Sequence, residues 1–247
     1  MSRPTVGVSW VHDICGRYRA YVADSSEARY LEQIHPGRKV NSTFGKYTVV
    51  PSRYLIPLPE RPTDQQLSPV LCVGVTAYKV LKVCGATSRQ WIGISRSGGA
   101  VESMALQYTQ SMGYRTTAID AEEEKGVLSK AKRAGVYRCS PNERPSRGNS
   151  IPNERSVSAA LAIAGKASAY EDALKSVAHC GSLVCIGIPP PTELVRCHPL
   201  LLVDNGIRVV RSMVDTRGDF RRPLTSTYQE EWYQVSSSSK LIRSSTF

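Results

Sequence analysis

The stretch from Gln90 to Asp120 constrains the fold more than any other part of this 247-residue chain. Gln90-Trp-Ile-Gly-Ile-Ser95 is a short apolar run of strand type and leads directly into Arg96-Ser-Gly-Gly-Ala-Val-Glu102. Beyond that turn Val101, Met104, Ala105, Tyr108 and Met112 recur at helical spacing, which predicts a helix with one apolar face. Gly113 is placed to close it as a left-handed cap. Arg115-Thr-Thr-Ala-Ile-Asp120 then reads as a second strand ending in an acid. Strand, glycine turn, helix, strand, acid is the order a dinucleotide site needs. The pyrophosphate rests on amides at the helix N-terminus, and an acid about twenty residues later hydrogen-bonds the adenosine ribose.

The candidate contacts on this reading are Ser97, Gly98, Gly99, Ala100, Val101 and Asp120. The glycine pattern G-x-G-x-x-G is incomplete, because Ser97 holds its first position and Glu102 its last. A carboxylate in the first helical turn competes with a phosphate for the same amides and repels it. The plainer expectation for Glu102 is an N-terminal helix residue facing solvent.

Around this unit the chain has three textures. Residues 1–62 read as short strands, at Val6–Val11, Tyr47–Val50 and Tyr54–Pro57, broken by glycine and proline. Residues 63–219 alternate apolar runs with helix-period segments, which predicts βαβ units and a parallel sheet of the α/β class. In this stretch Ala169–Val177 is a predicted helix, Leu183–Ile188 a buried strand stopped by Pro189-Pro-Pro191, and Gly206–Val214 a further strand. Residues 220–247 carry the serine run Ser236–Ser239 and no periodic face, and are expected to form a poorly ordered tail. The crossover between Cys139 and Ala159 should hold a helix, yet it contains Pro141, Pro145 and Pro152 and a duplicated Pro-Asn-Glu-Arg.

Composition narrows the partners. Thirty-two Lys and Arg against 21 Asp and Glu give a net charge of +11. The arginines are scattered without a finger, RNP or basic-region pattern, so a solvated basic surface is expected and nucleic acid is not. No apolar stretch reaches the length of a membrane span, and the first residues lack the apolar core of a secretory signal. The seven cysteines show no tight spacing, which disfavours a secreted disulfide framework and makes the cytoplasm the expected compartment. Cys84, Cys139, Cys180, Cys185 and Cys197 fall in apolar or mixed runs and are expected to be buried.

Several segments resemble the zinc-type medium-chain alcohol dehydrogenases, in particular the fungal NAD-dependent enzymes. Val6-Gly-Val-Ser-Trp-Val-His-Asp-Ile-Cys-Gly16 is similar to the strand leading into their structural zinc lobe. Ser68–Lys79 is similar to the segment bearing the third catalytic zinc ligand, which maps to Cys72. Gln107-Tyr-Thr-Gln-Ser-Met-Gly-Tyr-Arg115 matches the helix after the phosphate turn. Ile186-Gly-Ile188 falls where the family's backbone lines the nicotinamide, and Asp120 with Lys125 match its adenosine-ribose contacts.

The resemblance implies a Rossmann-type parallel-sheet nucleotide-binding domain over 63–219, after a fragment of a β-rich, GroES-like catalytic domain over 1–62. It implies NAD as cofactor, the acid Asp120 disfavouring NADP, with an alcohol or aldehyde as small-molecule partner and a homo-oligomer by analogy. A zinc-independent reductase using NADPH is disfavoured by Asp120 and by the segment around Cys72.

The departures from the pattern concern zinc. Counted from Cys15, the four structural-zinc positions are Cys15, Tyr18, Tyr21 and Arg29, so one thiolate of four remains and a cation holds the last place. Closed tetrahedral N/S coordination is then out of reach, and that site is expected to be empty. In the family, the first cysteine and the histidine of the catalytic zinc lie upstream of the structural lobe. Both are expected to be missing here, which leaves Cys72 as the surviving position. Lone His12 and His35 are poor substitutes. Met213–Asp219 is the last stretch that resembles the family; 139–158 and 220–247 read as the product of a shifted frame or a faulty gene model. Alcohol oxidation is therefore expected to be impaired in this chain, the alternative being a non-catalytic nucleotide-binding or interaction remnant.

Overall fold

The computed structural model describes residues 70–95, 99–119, 136–138 and 157–213. The strands expected within 1–62, the proline-rich crossover and the expected tail lie outside the described residues. The chain divides into two units, residues 1–75 with 214–247, and residues 76–213. A π-helical turn, Val70–Gly74, precedes helix α1, Val75–Val83.

The unit formed by 76–213 is built on six parallel strands: β1 (Trp91–Ser95), β2 (Arg115–Ile119), β3 (Val136–Arg138), β4 (Val157–Ala162), β5 (Val177–Cys185) and β6 (Arg208–Arg211). Their spatial order is β3-β2-β1-β4-β5-β6. Chain order thus runs outward from β1 to β3, then restarts beside β1 with β4. Ile92 pairs with Thr116 on one side and Ala159 on the other. Helices α2 (Ala100–Ser111), α3 (Ala167–Ser176) and α4 (Pro199–Asn205) fill connections between strands. Right-handed crossovers that run in opposite directions along the sheet, β1 to β2 and β4 to β5, put α2 and α3 on opposite faces. Both faces of the central strands are therefore covered, which is why β1 and β4 read as nearly unbroken apolar runs.

The core follows from that arrangement. Ile92, Ile94, Ala159 and Leu161 are fully buried. Val157, Ala160, Ala162 and Leu183 pack with Tyr170, Ala173 and Leu174 of α3 and with Val177 and Ile207. Polar groups inside are mostly paired. The buried Thr109 hydroxyl donates to the Leu106 carbonyl at 2.7 Å and meets Thr116 Oγ1 at 2.7 Å. Ser182 donates to the Cys84 carbonyl, and Cys84 Sγ donates to that of Leu81.

Thr117 Oγ1 is buried without a hydrogen-bond partner. Burial of an unpaired hydroxyl costs about 1–3 kcal/mol, and valine has nearly the same shape. Thr117→Val is therefore expected to add about 1 kcal/mol, read as a higher urea midpoint at unchanged slope. An unchanged or lower midpoint would show that the hydroxyl is satisfied.

Expected and observed elements differ in detail. The predicted strand Leu183–Ile188 is β5, which starts earlier, at Val177, and stops at Cys185. Its early part is interrupted: Val157 pairs with Val177 but Ala159 with Ser182, so an irregular stretch around Cys180 is accommodated. Cys180 there takes a left-handed φ of 58°. The strand predicted at Gly206–Val214 is shorter, Arg208–Arg211, because Gly206 caps a helix at φ 61° instead of entering the sheet. That helix, α4, has no counterpart among the sequence expectations. Cys84 is buried and Cys185 half-buried, but Cys180 and Cys197 are exposed, contrary to expectation, since both lie on the interrupted or connecting stretches around β5.

Candidate dinucleotide site at the strand-order switch

In an open parallel sheet the crevice suited to a ligand opens beyond the carboxyl ends of the two strands where strand order reverses. Here those strands are β1 and β4. Ser95, the last residue of β1, stitches them together: its hydroxyl donates to the Leu161 carbonyl at 2.9 Å and accepts from the Ile163 amide at 3.3 Å. No sequence pattern marks Ser95. A serine closing an otherwise apolar strand is the only available hint.

After β1 the chain reaches Gly99, the N-cap of α2, with extended backbone at φ −75°, ψ 170°. The Ser103 amide donates to the Gly99 carbonyl at 2.9 Å, which starts the helix. Ala100 is exposed and Val101 half-buried in the first turn. Of the other residues singled out from the sequence, Ser97, Gly98, Asp120, Lys125 and Cys15 lie outside the described residues. Gly113, at φ 74°, closes the helix end and its carbonyl accepts from Arg89 N at 2.7 Å.

Glu102 corrects an expectation. It does not face solvent but is 5% exposed. Its carboxylate folds back over the N-cap: a Cβ built on Gly99 would lie 2.6 Å from the Glu102 carboxyl carbon and closer still to Oε2. A glycine at N-cap is thus the residue that leaves room for this side chain.

Across the switch, the connections after β4 and β5 are clamped to one another. The amides of Ile186 and Gly187 both donate to the Ala162 carbonyl, at 3.1 and 3.0 Å. Tyr170 of α3 donates its hydroxyl to the Gly187 carbonyl. Burial, joined by the nearby Cys185, pushes the Tyr170 hydroxyl pKa up, and burial raises that of the Cys185 thiol. Gly187 is wedged so tightly that a Cβ there would meet the carbonyl oxygens of Ile163 and Ala164. Ile188, one residue on, is 89% exposed. Glu193 returns to accept from the Ala167 amide at 3.0 Å, satisfying a first-turn donor of α3.

Cys72 lies in the π-helical turn before α1 and is half-buried. Among the described residues no group of three His, Cys, Asp or Glu stands close enough to hold a metal ion. Among the described residues, no helix is long and apolar enough to cross a membrane.

Six parallel strands ordered 3-2-1-4-5-6, with a glycine turn opening a helix at the switch, define a doubly wound Rossmann-type α/β domain. Residues 100–230 match the model of the zinc-binding dehydrogenases. That match covers more than half of the chain, and the chain belongs to this family.

An alcohol dehydrogenase of Geobacillus stearothermophilus is 32% identical over 220 residues, which are 89% of this chain and 63% of the relative. One of Moraxella sp. is 33% identical over the same shares. The chain thus spans less than two thirds of the length of these relatives. Among solved structures, the alcohol dehydrogenase of Aeropyrum pernix superposes with a TM-score of 0.71 at 19% identity, over 89% of this chain and 63% of that one. Acetophenone reductase from Geotrichum candidum, in complex with NAD, superposes with a TM-score of 0.59 at 21% identity, over 70% of this chain and 48% of that one.

Proposed function

We propose that this chain is the nucleotide-binding part of an NAD-dependent alcohol dehydrogenase of the fungal type, moving a hydride between a primary or secondary alcohol and NAD, and that turnover by this chain is impaired. The observation that carries the reading is the β1/β4 switch, where Gly99 opens α2 at the carboxyl end of β1. On this reading the turn from Ser97 to Val101 seats the pyrophosphate, Asp120 and Lys125 hold the adenosine ribose, and Ile186, Gly187 and Ile188 lie along the nicotinamide. The carboxylate of Asp120 selects NAD over NADP, whose extra phosphate it repels. The small-molecule partner is an alcohol or aldehyde, and the compartment is the cytoplasm. Self-association is supported by the exposed apolar residues Leu194, Leu200, Val203, Val209 and Met213 around β6 and α4.

Impairment rests on residues present in the chain. Tyr18, Tyr21 and Arg29 stand where the resemblance places structural thiolates, and Cys72 stands where it places a catalytic-zinc thiolate. Loss of one preorganised charge-stabilising group costs about a hundredfold in rate, so loss of the metal costs more. A non-catalytic nucleotide-binding or interaction remnant is the second reading, and the buried Glu102 folded over Gly99, which opposes a phosphate there, favours its interaction form.

One sample separates these readings. Calorimetric titration with NAD is expected to show weak binding, elemental analysis well under one zinc per chain, and an ethanol assay little turnover. Light scattering on that sample is expected to give more than the 27.1 kDa of one chain. Ethanol oxidation that scales with bound zinc would overturn the impairment, absence of NAD binding would overturn the nucleotide reading, and a single-chain mass would overturn self-association.

A further inference from the structure

We infer that the Glu102 carboxylate is an internal anion occupying the place at Gly99 where a dinucleotide's pyrophosphate would approach. The inference rests on the dinucleotide reading above and concerns how tightly that site can bind.

The second position of the glycine pattern is glycine so that the phosphates can come close to bare backbone, and the third so that the helix can pack tightly beside the strand. This chain keeps the second, Gly99, and replaces the third with Glu102. A glutamate at that position has two places to go: outward into water, or back along the helix toward the N-cap. It takes the second. The side chain is 5% exposed, and its carboxyl carbon lies 2.6 Å from where a Gly99 Cβ would be, with both oxygens beside the same point. The space that glycine leaves open is therefore filled, and filled by a negative charge. That charge also lies at the positive end of a 12-residue helix, where it gains from the dipole that would otherwise favour phosphate.

A pyrophosphate entering here must displace or sit against an anion already held in place. Repulsion and steric exclusion act together, and both fall on the phosphates alone. On the dinucleotide reading the adenosine end is held by Asp120 and Lys125 instead, and neither effect falls on it. Glu102 thus sets the affinity for the cofactor without touching the groups that select it.

Calorimetric titrations of the full chain test this with NAD and with adenosine, using wild type, Glu102→Gln and Glu102→Gly. Gln keeps the length and helix propensity of the side chain while removing its charge, so it guards against a folding defect in the Gly variant. NAD is expected to bind about tenfold more tightly to Glu102→Gln, and more tightly again to Glu102→Gly, with adenosine affinity unchanged across all three. NAD affinity equal in all three chains would overturn the inference while leaving the dinucleotide reading in place. A gain for adenosine as large as that for NAD would also overturn it, since the effect would then be a general loosening of the fold. No NAD binding by any of the three would overturn the dinucleotide reading and this inference with it.

Discussion

Gly187→Ala is expected to destabilise the chain by about 2–3 kcal/mol, one of the largest losses open to a single added methyl group. The new Cβ would point at the carbonyl oxygens of Ile163 and Ala164 and lie 2.7 Å from the Ala164 carbonyl carbon. These are backbone atoms, so no rotamer change relieves the clash. Nor can the backbone yield cheaply on either side. The Ala162 carbonyl is held by the amides of Ile186 and Gly187, the Gly187 carbonyl by Tyr170, and the Ile163 amide by Ser95. Separating the two connections breaks several of these bonds at once, each contributing about 1 kcal/mol.

Gly165 provides the comparison, because a Cβ there would meet the Ile188 carbonyl oxygen at 3.3 Å, tight but tolerable. Urea unfolding should place Gly165→Ala within about 1 kcal/mol of wild type and Gly187→Ala well below both. Equal midpoints for the two variants would show that the clamp between the β4 and β5 connections gives way freely.

The β1–α2–β2 unit was legible because its signals are local: an apolar strand, glycines, a periodic helix, and Gly113 where a left-handed cap was needed. Its buried face was read less well. Hydropathy spacing pointed to Val101, Met104, Ala105, Tyr108 and Met112, whereas Glu102, Ala105, Leu106, Tyr108 and Thr109 are buried. Two of the three buried residues outside the expected face, Glu102 and Thr109, are polar. Thr109 hides inside by pairing its hydroxyl with Leu106 and Thr116, and Glu102 by folding onto Gly99, and neither device is visible to an apolar periodicity.

Helix α4 escaped notice for the opposite reason, since its seven residues are too few to show a period. Its end signals were present all the same: Pro199 in the first turn, Gly206 at φ 61° beyond the last, and His198, whose Nδ1 accepts from the Leu200 amide at 3.2 Å. The strand-order reversal itself lies beyond any local pattern, because it depends on which strand β4 joins. Of the candidate site, Gly99 and Gly187 could be picked out as glycines, but the reason each must be glycine is a contact from elsewhere in the chain.

Stability is also expected to fall steeply above about pH 9, because burial raises the pKa values of several tyrosines and thiols together. Tyr108, 2% exposed and packed edge-on against Tyr78 at 6.4 Å, is held far above its ordinary 10.0 by desolvation. Burial likewise lifts the Cys84 thiol above 9.0, against partial opposition from the Ala86 amide and the Arg208 charge. Tyr114 and Tyr170 shift in the same direction.

In each case the folded chain keeps the proton longer than the unfolded chain. The contribution to stability is thus complete below the unfolded value and is lost as pH climbs from that value toward the folded one. For Tyr108 the loss begins near pH 10 and approaches about 1.4 kcal/mol per pH unit, or about 1 kcal/mol between pH 10 and 11. Cys84 begins its loss one unit earlier. Urea midpoints under reducing conditions should therefore hold from pH 7 to 8.5 and drop progressively from pH 9 to 11. Tyr108→Phe keeps the ring and removes the proton. It should flatten the fall between pH 10 and 11 by about 1 kcal/mol while leaving the earlier, cysteine-linked part in place. If the variant and wild type lose stability in parallel over that interval, Tyr108 is not the group that opposes alkali, and the loss originates at the more exposed tyrosines.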